Sequence, residues 1–211
     1  MKNYTENCDQ QNTFYYICSE CYDVVRVDYQ NTFAITNGSD LEKDTSKTIR
    51  FNAPSLSVFC KNCDNFMFKC DEKLINPIIK FNKLQFFTTN CCEGHFVGVQ
   101  FSNPYIQFDA SLSQYEIESI ATCFNDAIVD CMEKLRKSID HKELFDILDE
   151  KKMAIAYMYQ NSIMVTEDIY NILWLEYNYT TAKKIFDSIK EVFAEICMTT
   201  AMYLEEKVSE T

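Results

Sequence analysis

Tyr15-Tyr16-Ile17-Cys18-Ser19-Glu20-Cys21 and Ser57-Val58-Phe59-Cys60-Lys61-Asn62-Cys63 decide how the first half of this chain folds. Each stretch runs from aromatic and β-branched residues, which favour strands, into a Cys-x-x-Cys pair. Each leaves the pair the same way, through Val24-Val25-Arg26-Val27 and through Phe66-Met67-Phe68. A two-residue gap lets one tight turn aim two thiolates at a single ion. Two such turns supply the four soft ligands of a tetrahedral zinc site. The expectation is a zinc ribbon, with one structural zinc ion on Cys18, Cys21, Cys60 and Cys63. The alternative is four reduced thiols in unrelated turns.

The 38 residues between Cys21 and Cys60 exceed an ordinary ribbon spacing. An inserted hairpin accounts for them. Thr32 to Thr36 and Thr48 to Phe51 read as strands, and Asn37-Gly38 is a turn dipeptide.

The remaining cysteines are 8, 70, 91, 92, 123, 131 and 197, for 11 in all. That number is odd, and Met1 to Gln11 is polar with no apolar core segment. No secretory signal and no disulfide framework are therefore expected. No apolar run approaches the roughly 20 residues that span a bilayer. A soluble cytoplasmic protein is the expectation. The 13 tyrosines and 16 phenylalanines supply material for a folded core.

The net charge of −12 is unevenly placed. Residues 111–211 carry 10 basic and 19 acidic side chains, against 10 and 13 in residues 1–110. Such an acidic half repels phosphate backbones, so direct nucleic-acid binding is disfavoured. It suits a protein partner with a basic surface, although acidity also serves plain solubility. All 3 glycines and all 3 prolines lie at or before Pro104. Their absence afterwards points to a helical second half.

Within that half, Ser113-Gln114-Tyr115-Glu116 is a capping box. It precedes Ile117, Ile120, Ala121, Phe124, Ile128, Cys131, Leu135 and Ile139 on one helical face. Asp140-His141-Lys142-Glu143 reads as a second box, starting a helix through Leu144, Ile147, Leu148, Ile155 and Met158. Thr166 is placed as the cap of a third helix, and a last one starts near Thr180. Cys123 and Cys131 fall in the core pattern. Tyr157, Tyr159, Tyr170, Trp174, Tyr177 and Tyr179 are either core or a partner or self-association face. The short basic runs around Lys134, Lys151 and Lys183 read as solvated helix faces.

Between the two halves, Asp71-Glu72 opens an apolar helical pattern over Leu74 to Leu84 that contains Pro77. Either the helix kinks at Pro77, or Asn76 caps a shorter helix beginning there. Phe86 to Cys92 then reads as a strand entering a tight turn at Gly94, with strands at Val97 to Phe101 and Tyr105 to Phe108. Cys92-Glu93-Gly94-His95 has three readings. Cys92 and His95 could join a second metal, helped by Cys8, Cys70 or Cys91. They could form a nucleophile pair. Or the turn is structural and needs Gly94 for its backbone angles. Glycine-rich phosphate loops, HExxH and EF-hand patterns are absent from the sequence.

The run Phe87-Thr88-Thr89-x-x-Cys92-x-Gly94-His95-Phe96, preceded by Asp71-Glu72, resembles the strand-turn motif of the wybutosine-synthesis tRNA methyltransferase family. The resemblance spans Asp71 to Phe96. The family motif reads Phe-Thr-Thr-Ser-Ser-Cys-Ser-Gly-Arg. Here Asn90 and Cys91 stand for two serines, Glu93 for the third and His95 for arginine. The resemblance implies S-adenosylmethionine as cofactor, an RNA substrate, and contacts from Thr88, Thr89, Cys92, Gly94 and His95.

The fold class expected is therefore α+β: a zinc-ribbon-like β-rich first half and a helical bundle. The expected segments are 1–70, 71–110 and 111–211. The leading functional expectation is a non-catalytic acidic protein-binding module. A phage or mobile-element inhibitor covering a nucleic-acid-binding surface would fit it. The alternative is the S-adenosylmethionine-dependent RNA-modifying enzyme.

Overall fold

A computed structural model describes residues 13–18, 20–28, 49–52, 57–60, 62–97 and 100–209. Its mixed helix and sheet agree with the α+β expectation. The chain divides into two compact units, Met1–Lys69 and Cys70–Thr211. Segments 71–110 and 111–211 of the sequence reading both lie in the second unit.

The first unit is built on strands β1 (Thr13–Cys18), β2 (Val24–Asp28), β3 (Ile49–Asn52), β4 (Ser57–Cys60) and β5 (Phe66–Cys70). They form one sheet in the order β2-β1-β5-β4-β3. Both Cys-x-x-Cys pairs therefore sit at hairpin ends, as their flanks predict. β1 pairs with β2 from Thr13↔Asp28 to Ile17↔Val24, and β4 pairs with β5 through Val58↔Met67 and Phe59↔Phe66. β3 matches the strand expected at Thr48 to Phe51. The strand at Thr32 to Thr36 and the Asn37-Gly38 turn lie outside the described residues.

The second unit starts with a 3-10 turn, Glu72–Leu74, and helix α1 (Ile75–Lys83). Pro77 is the third helical residue, so neither arrangement expected at Pro77 is adopted. The first four N–H groups of a helix have no intrahelical acceptor, and proline loses nothing there. Strands β6 (Thr88–Cys92), β7 (His95–Val97), β8 (Gln100–Ser102) and β9 (Tyr105–Phe108) follow. The single strand expected over Val97 to Phe101 is instead the β7–β8 pairing, with His95↔Ser102 and Val97↔Gln100 opposed.

Helix α2 (Gln114–Leu135) opens with the predicted capping box. It ends short of Ile139, which lies in a 3-10 turn, Ile139–His141. Helix α3 (Lys142–Lys151) starts after His141 without a side-chain cap, so the second capping box does not form. Nor does α3 reach Ile155 and Met158. Lys152 adopts a left-handed conformation (φ 51°) and stops it. Strands β10 (Ala156–Tyr159) and β11 (Ser162–Val165) follow, joined through left-handed Gln160.

These strands join β6 and β9 in a four-stranded sheet, β10-β11-β9-β6. The second half is thus not a pure bundle. Helix α4 (Asp168–Glu176) also lacks its expected cap. Thr166 Oγ1 instead donates to Ala154 O at 2.6 Å.

Helix α5 (Tyr179–Ser209) is the spine of this unit. Ile185, Phe186, Ile189, Val192, Phe193, Ile196, Cys197, Ala201 and Leu204 are buried along it at helical spacing. It packs against α1, α2, α3 and α4. Cys123 and Cys131 are core residues, as their place in the pattern predicts. The hydroxyl of Tyr203 on α5 donates to Asp130 on α2.

Candidate metal centres

The two hairpin ends of the first unit are built alike. Cys18 N donates to Asp23 O at 3.0 Å, and Cys60 N donates to Asn65 O at 2.9 Å. Tyr22 and Asp64, each following the second cysteine of its pair, are left-handed at φ 60° and 59°. The chain therefore turns back sharply behind each pair. The Asn62 side-chain amide donates to Asp23 and ties one turn to the other.

The thiols meet in consequence. Sγ of Cys18 lies 3.3 Å from that of Cys63, and Cys21 lies 3.5 Å from Cys60 and 3.7 Å from Cys63. A disulfide needs about 2.05 Å, so these are four separate thiols around one point. They could hold a metal ion. Cys18 and Cys60 are buried, while Cys21 and Cys63 are exposed. Desolvation within the cluster pushes the Cys18 and Cys21 thiols above their ordinary pKa. The Asn65 backbone N–H and the Cys18 thiol draw Cys63 down to about 7. Four crowded thiols cannot all ionise unless a cation offsets their charge. The metal-ligating sequence expectation thus falls on four residues that the fold brings together.

A second group forms in the other unit. Asp71, Cys92 and His95 place one donor atom each within 4.8 Å of one another. Nε2 of His95 lies 3.9 Å from Oδ2 of Asp71. The β6–β7 turn that carries Cys92 and His95 is fixed from several sides. Glu93 N donates to Asp71 Oδ2 at 2.8 Å, Gly94 N to Cys92 Sγ at 3.3 Å, and His95 N to Ser102 Oγ at 3.1 Å. The Glu93 carboxylate is buried against Lys190 of α5 at 2.5 Å. Burial raises the Cys92 thiol pKa, its hydrogen bond with Ser102 opposes that rise, and the nearby Asp71 carboxylate adds to it.

Gly94 is required here. Its φ is +85°, and a Cβ would stand 2.7 Å from Pro104 Cδ and 2.9 Å from Phe186 Cζ. The expected need for glycine in this turn is met.

Of the five residues implicated by the motif, Cys92, Gly94 and His95 come together. Thr88 and Thr89 do not join them. Thr88 is buried, its N–H and hydroxyl both donating to Asn82 Oδ1 at 2.8 and 3.1 Å, which ties β6 to α1. Thr89 is exposed, with its hydroxyl 3.5 Å from Gln107 O. Of the cysteines expected to assist Cys92 and His95, Cys70 and Cys91 are not part of this group. Cys70 and Cys91 are buried, with Cys91 raising the Cys70 thiol pKa, and Cys8 lies outside the described residues. The third donor is Asp71, which the sequence reading placed at the start of the helical segment and not among the ligands. It lies next to Cys70, but no spacing rule ties a residue 21 positions before Cys92 to the turn.

No protein-family model, curated protein or solved structure matches this chain. Among the described residues no helix is long and apolar enough to cross a membrane.

Proposed function

We propose that this chain is a zinc-stabilised, cytoplasmic protein-binding module whose acidic second unit engages a basic partner protein. Support for zinc is the spacing and chemistry of the four thiols. Thiolates about 2.3 Å from a central zinc stand about 3.8 Å apart, a few tenths of an ångström beyond the distances found. Four sulfur donors from two hairpin ends are a closed, structural set of the zinc-ribbon kind.

The observation that carries the binding role is the junction of α4 and α5. Trp174, Leu175 and Tyr179 are 49, 80 and 52% exposed there. Large exposed apolar side chains of this kind support a contact surface, although Tyr179 also stacks on buried Phe96 at 5.7 Å. Burial raises the pKa of Tyr177, and the carboxylates of Glu176, Glu150 and Asp146 add to it while Lys151 opposes them. Nearby cations are already engaged, Lys151 with Glu176 at 2.9 Å and Lys184 with Glu143 at 2.7 Å. An apolar centre in an acidic frame fits a partner with an apolar socket in a basic frame. The six-aromatic face divides: Tyr170 is buried, and Tyr157 and Tyr159 lie on a strand. An inhibitor covering the nucleic-acid-binding surface of its target is the fullest form of this reading.

Quantitative affinity capture from the cell that makes this protein tests it. A partner with a basic surface should be recovered, lost in high salt, and lost with Leu175→Asp. Recovery of no such partner, or equal recovery by the variant, contradicts the role.

A second reading, S-adenosylmethionine-dependent RNA modification, is favoured by one observation. Cys92, Gly94 and His95 of the methyltransferase-like motif converge with Asp71. It ranks second because, among the described residues, two lysines near the turn are already paired with carboxylates. Lys190 pairs with Glu93, and Lys73 pairs with Glu191 at 2.9 Å. An RNA backbone has little left to bind there. Micromolar binding of S-adenosylmethionine in a calorimetric titration would reverse the order.

A further inference from the structure

The second donor group has features that a structural turn does not call for. Asp71 is only 8% exposed. Among the described residues no lysine or arginine pairs with its carboxylate. It accepts from the Glu93 N–H and faces His95 at 3.9 Å. Buried carboxylates are ordinarily paired with a cation or bound to a metal. The neighbouring Glu93 shows the first solution, taking Lys190. Asp71 is left facing a thiol and an imidazole.

The arrangement also differs from a nucleophilic relay. In a relay the imidazole stands between nucleophile and carboxylate and uses opposite nitrogens for the two. Here one donor atom from each of the three residues lies within 4.8 Å of both others. Three donors that converge on one point enclose space for a ligand they share. Oxygen, sulfur and nitrogen together suit a borderline divalent cation such as zinc.

We propose that Asp71, Cys92 and His95 form a second, mixed-ligand site for a divalent transition-metal ion, separate from the four-cysteine group. The donors stand close to the required places. Nitrogen and oxygen ligands of one zinc ion lie about 3.3 Å apart, so His95 Nε2 has well under 1 Å to close on Asp71. The His95 side chain is 43% exposed and free to make that adjustment, whereas Asp71 is fixed. Three protein donors leave a coordination position for water or for the Ser102 hydroxyl, whose oxygen lies 3.6 Å from Cys92 Sγ. Metal binding would fasten the β6–β7 turn to the start of the unit at Asp71.

The test is metal stoichiometry of the full chain. Reduced protein is stripped with chelator, reloaded with zinc or cobalt, freed of excess metal, and assayed by elemental analysis. Circular dichroism confirms that each variant is folded. His95→Ala and Cys92→Ser are each expected to bind one ion fewer than the unaltered chain. Cys63→Ser should remove a different ion, so its loss adds to that of His95→Ala. With cobalt, the Cys63→Ser protein should keep a spectrum with weaker thiolate absorption than the four-cysteine site gives. Unchanged stoichiometry in both His95→Ala and Cys92→Ser would overturn the site.

Discussion

Glu93 and Lys190 form a buried ion pair in the second unit, with side chains 4 and 13% exposed. Removing one charge from such a pair strands the other in a poorly solvating interior. Glu93→Gln should therefore cost about 3–5 kcal/mol, read as a lower urea midpoint. Gly94, the next residue, tests a different term. Gly94→Ala brings a Cβ to 2.7 Å from Pro104 Cδ at a φ of +85°. Left-handed strain and overpacking together should cost about 2–4 kcal/mol in the same assay. A loss below 1 kcal/mol would mean that the turn rearranges at little cost. Gly94 substitutions thus cannot isolate a binding role for this turn, because they disturb its packing first.

At the scale of elements, the α2 capping box is the most local device in the protein. Ser113 Oγ accepts from Glu116 N at 3.3 Å, and Glu116 Oε2 accepts from Ser113 N at 2.7 Å. Ser113→Ala should cost about 1 kcal/mol in denaturant unfolding. The Ser113 hydroxyl and N–H hold the Glu116 pKa below its ordinary value of 4.5. A depressed folded-state pKa contributes stability above the unfolded value, and that contribution is lost as pH falls through the folded value. The difference between Ser113→Ala and the unaltered chain should therefore shrink as pH falls through that depressed value.

This box was legible in the sequence because all its groups lie within four residues. The α5 core face was legible for a similar reason, as apolar spacing along one helix needs no knowledge of what it packs against. The end of α3 was not. The absence of glycine after Pro104 suggests continuous helix, yet Lys152 and Gln160 take left-handed conformations at φ 51°. Sheet pairing with β9 then holds Ala156 to Val165 as a hairpin, and the paired residues of that partner lie 55 to 59 positions earlier. The donor role of Asp71 was illegible for the same reason. It reaches Cys92 and His95 only because the chain folds back between them. The four cysteines announced themselves because a doubled Cys-x-x-Cys is itself a spacing rule.

For the whole molecule, the two units differ in what holds them together. The second has a continuous apolar core along α5, with Phe124, Phe186, Phe193, Ile189 and Ile196 almost wholly buried. In the first, Ile17, Met67 and Phe68 are buried, as are the ligand candidates Cys18 and Cys60. A unit as short as Met1–Lys69 ordinarily needs a metal or a crosslink. A structural zinc ion contributes folding free energy on the order of 10 kcal/mol. Hydrogen–deuterium exchange on the full chain, before and after chelation under reducing conditions, tests this dependence most directly. The account predicts that the amides of β1, β2, β4 and β5 lose their protection on metal removal, while those of α5 keep theirs. Undiminished protection in β1 to β5 after complete metal removal would contradict a zinc-built first unit.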